Sequence, residues 1–366
     1  MRGSRPTLEA VAAHAGVSRA TVSRVVNGVA GVRASVREKV QRSVAELGYV
    51  PNSAARSLVT RRTGAVAVVV AEPETRIFTD PFFAQQLRGI SRELSRADTQ
   101  LLLLMSESPA DSRRIGRYLT GGHVDGILMF SLHSDDPLPA IAADSGLPTV
   151  FGGRPWWTVP EGEPQPCYVD ADNRGGARLA VEHLLERGRR RIGVLTGPLD
   201  QTSALDRLDG YRDALRAADV HPDPALVARG DFTAEGGERA MAELLDRCPD
   251  LDAVFAGSDL MATGALRALR ARGRRVPDDV AVVGFDDLEP AAWADPPLTT
   301  VRQDVRAMGG MMATLLLRML DAHSAPGGNR AGGRAAGRGN GAQGGERPRP
   351  PEPVVTPATL VVREST

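Results

Sequence analysis

"GVSRATVSRVVNG", residues 16–28, has a glycine at each end and little room between them. Ser18 is a natural N-cap, and Val22, Val25 and Val26 recur at helical spacing, so the stretch predicts a short helix stopped by Asn27-Gly28. Upstream, Thr7 predicts the cap of another short helix. Its apolar face is Leu8, Val11, Ala12 and Ala15, and Gly16 closes it because glycine accepts a left-handed conformation. Two such helices joined by a turn of about three or four residues make a helix-turn-helix. Downstream, "SVRE" at 35–38 reads as a capping box, with Ser35 bonding the Glu38 amide and Glu38 reaching back. It opens a third helix with Val36, Val40, Val44 and Leu47 inward and Gly48 at its end. Three helices of this size can just enclose one small core.

With the valines inward, the residues left outside suit a polyanion. Arg19, Ala20 and Arg24 lie on the outer side of the second helix, with Thr21, Ser23 and Asn27 beside them. The Thr7 and Ser18 hydroxyls stand at helix N-termini, which attract phosphate oxygens, and arginine reads guanine in the major groove. The plain alternative is a three-helix protein-docking module. After Pro51 comes "NSAARSLVTRRTG" (52–64). Asn52 can cap a turn or two of helix running to Leu58, too short to be stable alone. Ala54 and Ala55 permit close approach, and Arg56, Arg61 and Arg62 surround Leu58. The segment reads either as a basic stretch that folds on DNA and pushes a leucine between base steps, or as a plain linker.

Charge is divided unevenly along the chain. Residues 1–62 hold 11 Arg and Lys against three Glu, a net +8, while the rest holds 34 against 42, a net −8. A basic head on an acidic body reads either as a site for a polyanion at one end only or as a solvated basic surface with no partner.

Beyond the head, "AVAVVV" (65–70), "LLLLM" (101–105), "GILMF" (126–130) and "PTVF" (148–151) alternate with helical stretches such as 83–94. A second series, "RIGVLT" (191–196), "DAVFAG" (252–257) and "VAVVGF" (280–285), alternates with helices over 176–186, 207–217, 235–245 and 261–272. Continuous aliphatic strands with helical crossovers predict parallel sheets covered on both faces. Two series predict two similar subdomains with a cleft between them, lined by the loops that follow strand ends. Those loops hold "DPFF" (80–83), Gly153-Arg154, Ser258-Asp259 and Asp286-Asp287.

The chain resembles the lactose/galactose repressor family. "TLEAVAAHAGVSRATVSRVVNG", "VREKVQRSVAELGYVPNSAARSL", "VDGILMF", "RRIGVLTGP", "RLDGYRDAL", "FAGSDLMATGALRAL", "VPDDVAVVGFDD" and "PPLTTVRQD" fall in the family's order across residues 6–322, followed by the final "VVTPATLVVREST". The resemblance implies an α/β fold: a small all-α helix-turn-helix head at 1–50, a hinge at 51–63, and a periplasmic-binding-protein-like effector-binding and dimerisation body at 64–366. In that body the N-subdomain is expected at 64–170 and 301–323, and the C-subdomain at 171–300 and 354–366. It implies a homodimeric repressor on a near-palindromic double-stranded operator, with hinge residues Asn52, Ala55, Arg56 and Leu58 in the minor groove. The implied partner is a small-molecule effector, a carbohydrate in most relatives. The family's ligand-contacting positions fall on Asp80, Phe83, Arg154, Arg207, Phe232, Ser258, Asp286 and Gln303. Charged side chains bond hydroxyls and aromatic rings cover apolar sugar faces. Two departures stand out. Sugar-binding relatives often carry Asn where Ser258 stands and Asp where Gly153 stands, so a larger glycoside or a non-sugar stays open. Trp156 and Trp157 could wall the cleft or cover the hinge between subdomains.

Residues 324–353 are rich in Gly, Arg and Pro and predict a disordered insertion. Its five arginines (330, 334, 338, 347 and 349) could meet DNA backbone, or the loop could be passive. An enzyme would need a constellation, and none is legible: no GxSxG, HExxH or GxxxxGK[ST], and six scattered histidines. No catalytic residue, cofactor or metal site is therefore expected. The rivals are a sugar-processing enzyme and a pure sugar-binding protein, each with an accessory basic head. With no apolar run of 18 residues and no apolar segment near Met1, neither a membrane span nor a signal peptide is expected. Cys167 and Cys248 match no CxxC pattern. The expected location is cytoplasmic, with the nucleoid.

Overall fold

The computed structural model describes residues 6–26, 31–49, 62–160, 165–324 and 351–366. By contact the chain forms a small N-terminal unit and a large unit, the body.

The small unit contains α1 (Leu8–Ala15), α2 (Arg19–Val26) and α3 (Ala34–Leu47). Thr7 caps α1 by accepting from the Ala10 amide at 3.3 Å, and Gly16 closes it in the left-handed region at φ 59°. Ser18 accepts from the Thr21 amide at 3.2 Å. The core consists of Val11, Ala12, Ala15, Val22 and Val40, with Leu8, Val17, Val25, Val26, Val44, Leu47 and Tyr49 against it. The third helix departs from expectation. It begins at Ala34, its cap position is Arg33, and no side chain bonds there. The helix starts one residue before Ser35, so the expected Ser35–Glu38 box has no helix terminus to close. Val36 is half-buried and lies outside the core cluster.

The body holds two six-stranded sheets. Its strands are β1 (Ala65–Val70), β2 (Gln100–Met105), β3 (Gly126–Phe130), β4 (Thr149–Gly152), β5 (Tyr168–Ala171), β6 (Ile192–Thr196), β7 (Val227–Arg229), β8 (Ala253–Ala256), β9 (Ala281–Asp286), β10 (Thr299–Arg302), β11 (Val354–Thr356) and β12 (Thr359–Val361). Its helices are α4 (Glu74–Thr79), α5 (Pro81–Arg96), α6 (Pro109–Thr120), α7 (Leu138–Ser145), α8 (Asn173–Glu186), α9 (Thr202–Ala217), α10 (Ala234–Arg247), α11 (Asp259–Ala271), α12 (Glu289–Trp293) and α13 (Val305–Ser324). The first sheet runs β2-β1-β3-β4-β5-β11 and the second β7-β6-β8-β9-β10-β12. The same winding occurs twice, each time with a topological switch point beside its first strand. In open α/β sheets ligands gather outside the strand ends at such points. β1, β3, β4, β5 and β11 pair in parallel in the first sheet, as in Val66 opposite Gly126, and β7, β6, β8, β9 and β10 in the second, as in Ile192 opposite Ala253, while β12 runs antiparallel to β10.

Alternation along the strands feeds a core on each face of the second sheet. Val194, Phe255 and Val283 enter one cluster, while Leu195, Val254 and Val282 enter the other. In the first sheet Val66, Val68, Leu128 and Val150 pack with Ile90, Met312 and Leu316 of α5 and α13. α5 and α13 approach closely because Gly89 and Gly309 face the partner backbone. A methyl group at either would collide with the carbonyl of Arg306 or Gln86.

The chain passes between sheets three times: at Asp172, between Arg302 and Val305, and between Thr356 and Thr359. The expected subdomain limits need correction there. Val354–Thr356 belongs to the first sheet, parallel to β5, and not to the C-subdomain. Thr299–Arg302 lies wholly in the second sheet, so residues 301 and 302 do not belong to the N-subdomain. Pairing with β5 completes an edge that sequence periodicity over three residues could not register.

Candidate functional site

In the small unit, Arg19, Ala20 and Arg24 are exposed along α2, as are Thr7 and Ser18, while Thr21 and Ser23 are half-buried. Ser18 and Thr21 bond each other at 2.9 Å. Arg19 Nε lies 3.1 Å from Glu9 Oε1, a solvent-exposed pair that leaves most of its guanidinium outward. The expected contacts Asn27, Asn52, Ala55, Arg56 and Leu58 lie outside the described residues, as does most of the 324–353 insertion.

In the body, one cleft opens between the strand ends of the two sheets, with about 930 Å³ of empty space, partly open to solvent. All eight effector positions named from the resemblance line it: Asp80, Phe83, Arg154, Arg207, Phe232, Ser258, Asp286 and Gln303. Each is delivered by local structure. Asp80 follows α4 and caps α5, accepting from the Phe82 amide at 2.9 Å. Ser258 caps α11, accepting from the Met261 amide at 3.2 Å. Phe232 and Asp286 sit at φ 66° and 112°. Such backbone conformations cost an ordinary residue energy and cluster at ligand sites. Phe83 is also core, fully buried and 6.1 Å from the Phe130 ring.

A line of hydrogen bonds crosses the cleft floor. Asp170 accepts from the Arg154 amide at 2.9 Å and from Asn173 Nδ2 at 2.9 Å. Asn173 Oδ1 accepts from Arg207 Nε at 2.9 Å. Arg207 also donates to the Gly257 carbonyl and lies 3.5 Å from Asp286 Oδ1, which accepts from Gln303 at 2.5 Å. Its guanidinium stacks 3.7 Å from the Phe285 ring centroid and 5.7 Å from that of Phe232. Burial pushes the Asp286 carboxyl up to about 7, and the Arg207 charge opposes that rise. Asp287 turns the other way, to Arg302 and Arg363 at 2.6 Å each, so the two consecutive carboxylates never form an acid–base pair.

Sequence reasoning missed a second group, at the mouth. Glu72 is buried and accepts from Ser131 at 2.6 Å, Arg76 at 2.6 Å and Gln201 at 3.0 Å. His133 Nδ1 reaches Asp200 at 2.8 Å. Gln201 and Asp200 come from the second subdomain and the rest from the first, so these contacts span the cleft. Arg154 spans it too, through Asp206 at 2.7 Å. Asp170, Asn173 and Gln201 sit just at or past the ends of strands β5 and β6, so the rule that found Ser258 could have found them. Arg76 lies in the short helix α4, away from any strand end, and carries no such signal. Trp156 lines the cleft, and Trp157 packs edge-on against it at 5.1 Å and against Phe151 at 5.4 Å.

Among the described residues no group of three or more His, Cys, Asp or Glu could hold a metal ion, and no helix is long and apolar enough to cross a membrane.

Comparison with known proteins gives these geometries their context. Residues 7–52 match the family of bacterial regulatory proteins, lacI family, and residues 181–366 match the periplasmic binding protein-like domain. The HTH-type transcriptional regulator CelR of Thermobifida fusca is 54% identical over 316 residues, covering 86% of this chain and 92% of that protein. The ribose operon repressor of Escherichia coli (strain K12) is 33% identical, covering 86% and 93%. Among solved structures, a CelR–cellobiose complex superposes with a TM-score of 0.73 at 47% identity, covering 99% and 100% of the two chains. The lac repressor dimer bound to operator and the anti-inducer ONPF gives 0.77 at 28%, covering 98% of each. These relatives are regulators of transcription and not enzymes. With the helix-turn-helix unit and the two-sheet body on one chain, the protein belongs to the lacI family of DNA-binding transcriptional regulators.

Proposed function

We propose that this protein is a homodimeric repressor whose operator affinity is set by a neutral glucose disaccharide of the cellobiose type. The single observation behind this reading is the charge and shape of the cleft. Three arginines (76, 154 and 207) face three aspartates (80, 170 and 286) among aromatic rings. A set of that kind bonds hydroxyls with charge-assisted strength, and Arg76 and Arg154 are already held by Glu72 and Asp206, which disfavours a phosphorylated or acidic sugar. The cellobiose-bound relative supports the same class. In this reading Arg207, Asp286, Asp80, Arg154, Ser258 and Gln303 bond the sugar, while Phe83 and Phe232 cover its faces. Arg19, Ala20 and Arg24 read bases in the major groove of a near-palindromic site, with Thr7, Ser18, Thr21 and Ser23 toward phosphates. Asn27 and the hinge residues Asn52, Ala55, Arg56 and Leu58 complete the contact, and the site of action is the cytoplasmic nucleoid. By linkage, operator DNA must alter sugar affinity by the factor by which sugar alters operator affinity.

The test is thermal melting of the full chain against cellobiose, glucose, ribose, lactose and glucose 6-phosphate, followed by operator titrations with and without the stabilising sugar. A ligand at 100 times its dissociation constant adds about 2.7 kcal/mol to the folded form. Cellobiose should raise the melting temperature and shift the operator titration. Stabilisation only by the phosphorylated sugar would overturn the reading.

A further inference from the structure

We infer that Arg76 and Gln86 form a second sugar subsite on the first subdomain's wall, which makes the cleft select a disaccharide over a single ring. The inference rests on the sugar reading above and deepens it. Gln86 is 1% exposed and lines the cleft. It stands three residues after Phe83 on α5, so both project from one helix face. Its Nε2 reaches only the Met312 sulfur, a weak acceptor, at 3.0 Å, and its Oε1 has no partner. Turning the amide over exchanges an unpartnered acceptor for an unpartnered donor, so one end stays unsatisfied either way. Arg76 repeats the pattern. Its Nη1 holds Glu72 at 2.6 Å, while its buried Nε bonds nothing. Its guanidinium lies 5.6 Å from the Phe83 ring and 5.5 Å from that of Phe232, one ring from each subdomain.

Buried polar groups without partners are rare and costly, and two on one wall of one cleft mark where ligand hydroxyls complete the bonding. The residues along the floor, by contrast, already bond one another from Asp170 to Gln303. The aromatic residues divide in the same way. Phe82, Phe83 and Phe130 form one packed group, and Phe151, Trp156 and Trp157 form another. A pyranose ring uses one aromatic face, so two groups along one wall suit two rings.

The experiment is calorimetric titration of the full-length protein with cellobiose and with glucose, for wild type, Gln86→Leu and Arg76→Met. Both variants keep the apolar stem and remove the polar end. The expected result is wild-type preference for cellobiose. In folded Gln86→Leu, cellobiose affinity should fall by about tenfold or more with glucose affinity unchanged, and folded Arg76→Met should lose more affinity for cellobiose than for glucose. Unchanged cellobiose affinity in every folded variant would overturn the subsite and leave the sugar reading standing. An equal loss of both sugars would also overturn it, because the residues would then serve the ring common to both. A wild-type protein that binds neither sugar would remove the sugar reading and this inference with it. The ligand-free melting temperature of each variant separates misfolding from lost contact.

Discussion

Protonation of His133 should be readable in the stability of the body. The ring faces Asp200 at 2.8 Å and Glu72 at 3.4 Å. Arg76, bonded to Glu72, and Asp136 are the other charges around it. The hydrogen bond to Glu72, opposed by burial and aided by Asp200, raises the imidazole from 6.5 to about 9. At about 1.4 kcal/mol per pH unit, that gap sets a ceiling of about 3 kcal/mol. The side chain is 26% exposed and Asp200 44%, so solvent screening brings the expected contribution to about 1–2 kcal/mol. The unfolded chain gives up this proton first as pH rises. The stabilisation is therefore complete below about pH 6.5 and is lost as pH passes through 9. In a body of this size it amounts to about 2–5 °C of melting temperature. The assay is scanning calorimetry from pH 6.5 to 10 on wild type and His133→Gln, which keeps hydrogen-bonding capacity without charge. The difference between the two proteins should shrink by that amount across the range. Taking the difference cancels Asp286, near 7, and Cys167, pushed up by burial to about 11, which titrate in both. A difference that stays flat with pH would refute the assignment of a charged bridge at the cleft mouth.

Three further outcomes are expected. Arg24→Ala should weaken operator binding by about 1–3 kcal/mol and relax preference at one base position, which binding-site selection reads directly. Gly264→Ala should destabilise the body by about 1–3 kcal/mol in calorimetry, because the added methyl meets the Ala234 carbonyl where α11 lies against α10. Asp286→Asn should cost about 1–3 kcal/mol at pH 8, short of a full buried-charge loss because Arg207 keeps Asn173 and the Gly257 carbonyl. Because the Asp286 carboxyl is raised to about 7, the folded wild type takes up a proton that the unfolded chain does not, so that deficit should grow as pH falls below 7.

The features legible in sequence were those governed by local rules. Thr7, Ser18, Gly16 and Gly48 act through neighbours three or four residues away, and their roles in the structure follow directly. The strands of β1, β3 and β9 are aliphatic runs long enough to stand out. The Ser35 box failed because the same four letters fit a helix beginning one residue earlier, and only packing decides the register. The mouth of the cleft was invisible for another reason. His133 and Asp200 are 67 residues apart, and Glu72 and Gln201 are 129 apart. No spacing rule joins them; two separately folded sheets must first bring them together. The three-residue strand β11 carries too little pattern to assign to either sheet.

The three passages between the sheets have a consequence for what this molecule can communicate. Two of them are tied together where the Asp172 amide donates to the Thr356 carbonyl at 2.8 Å. Two slabs joined by three straps resist sliding and twisting, and what remains soft is a door-like swing about the straps. A captured molecule can then be reported only as a single angle, whatever its chemistry. All discrimination has to happen before the swing, at the side chains that admit the guest. Substitutions there would change which guest is answered while the answer itself stayed the same.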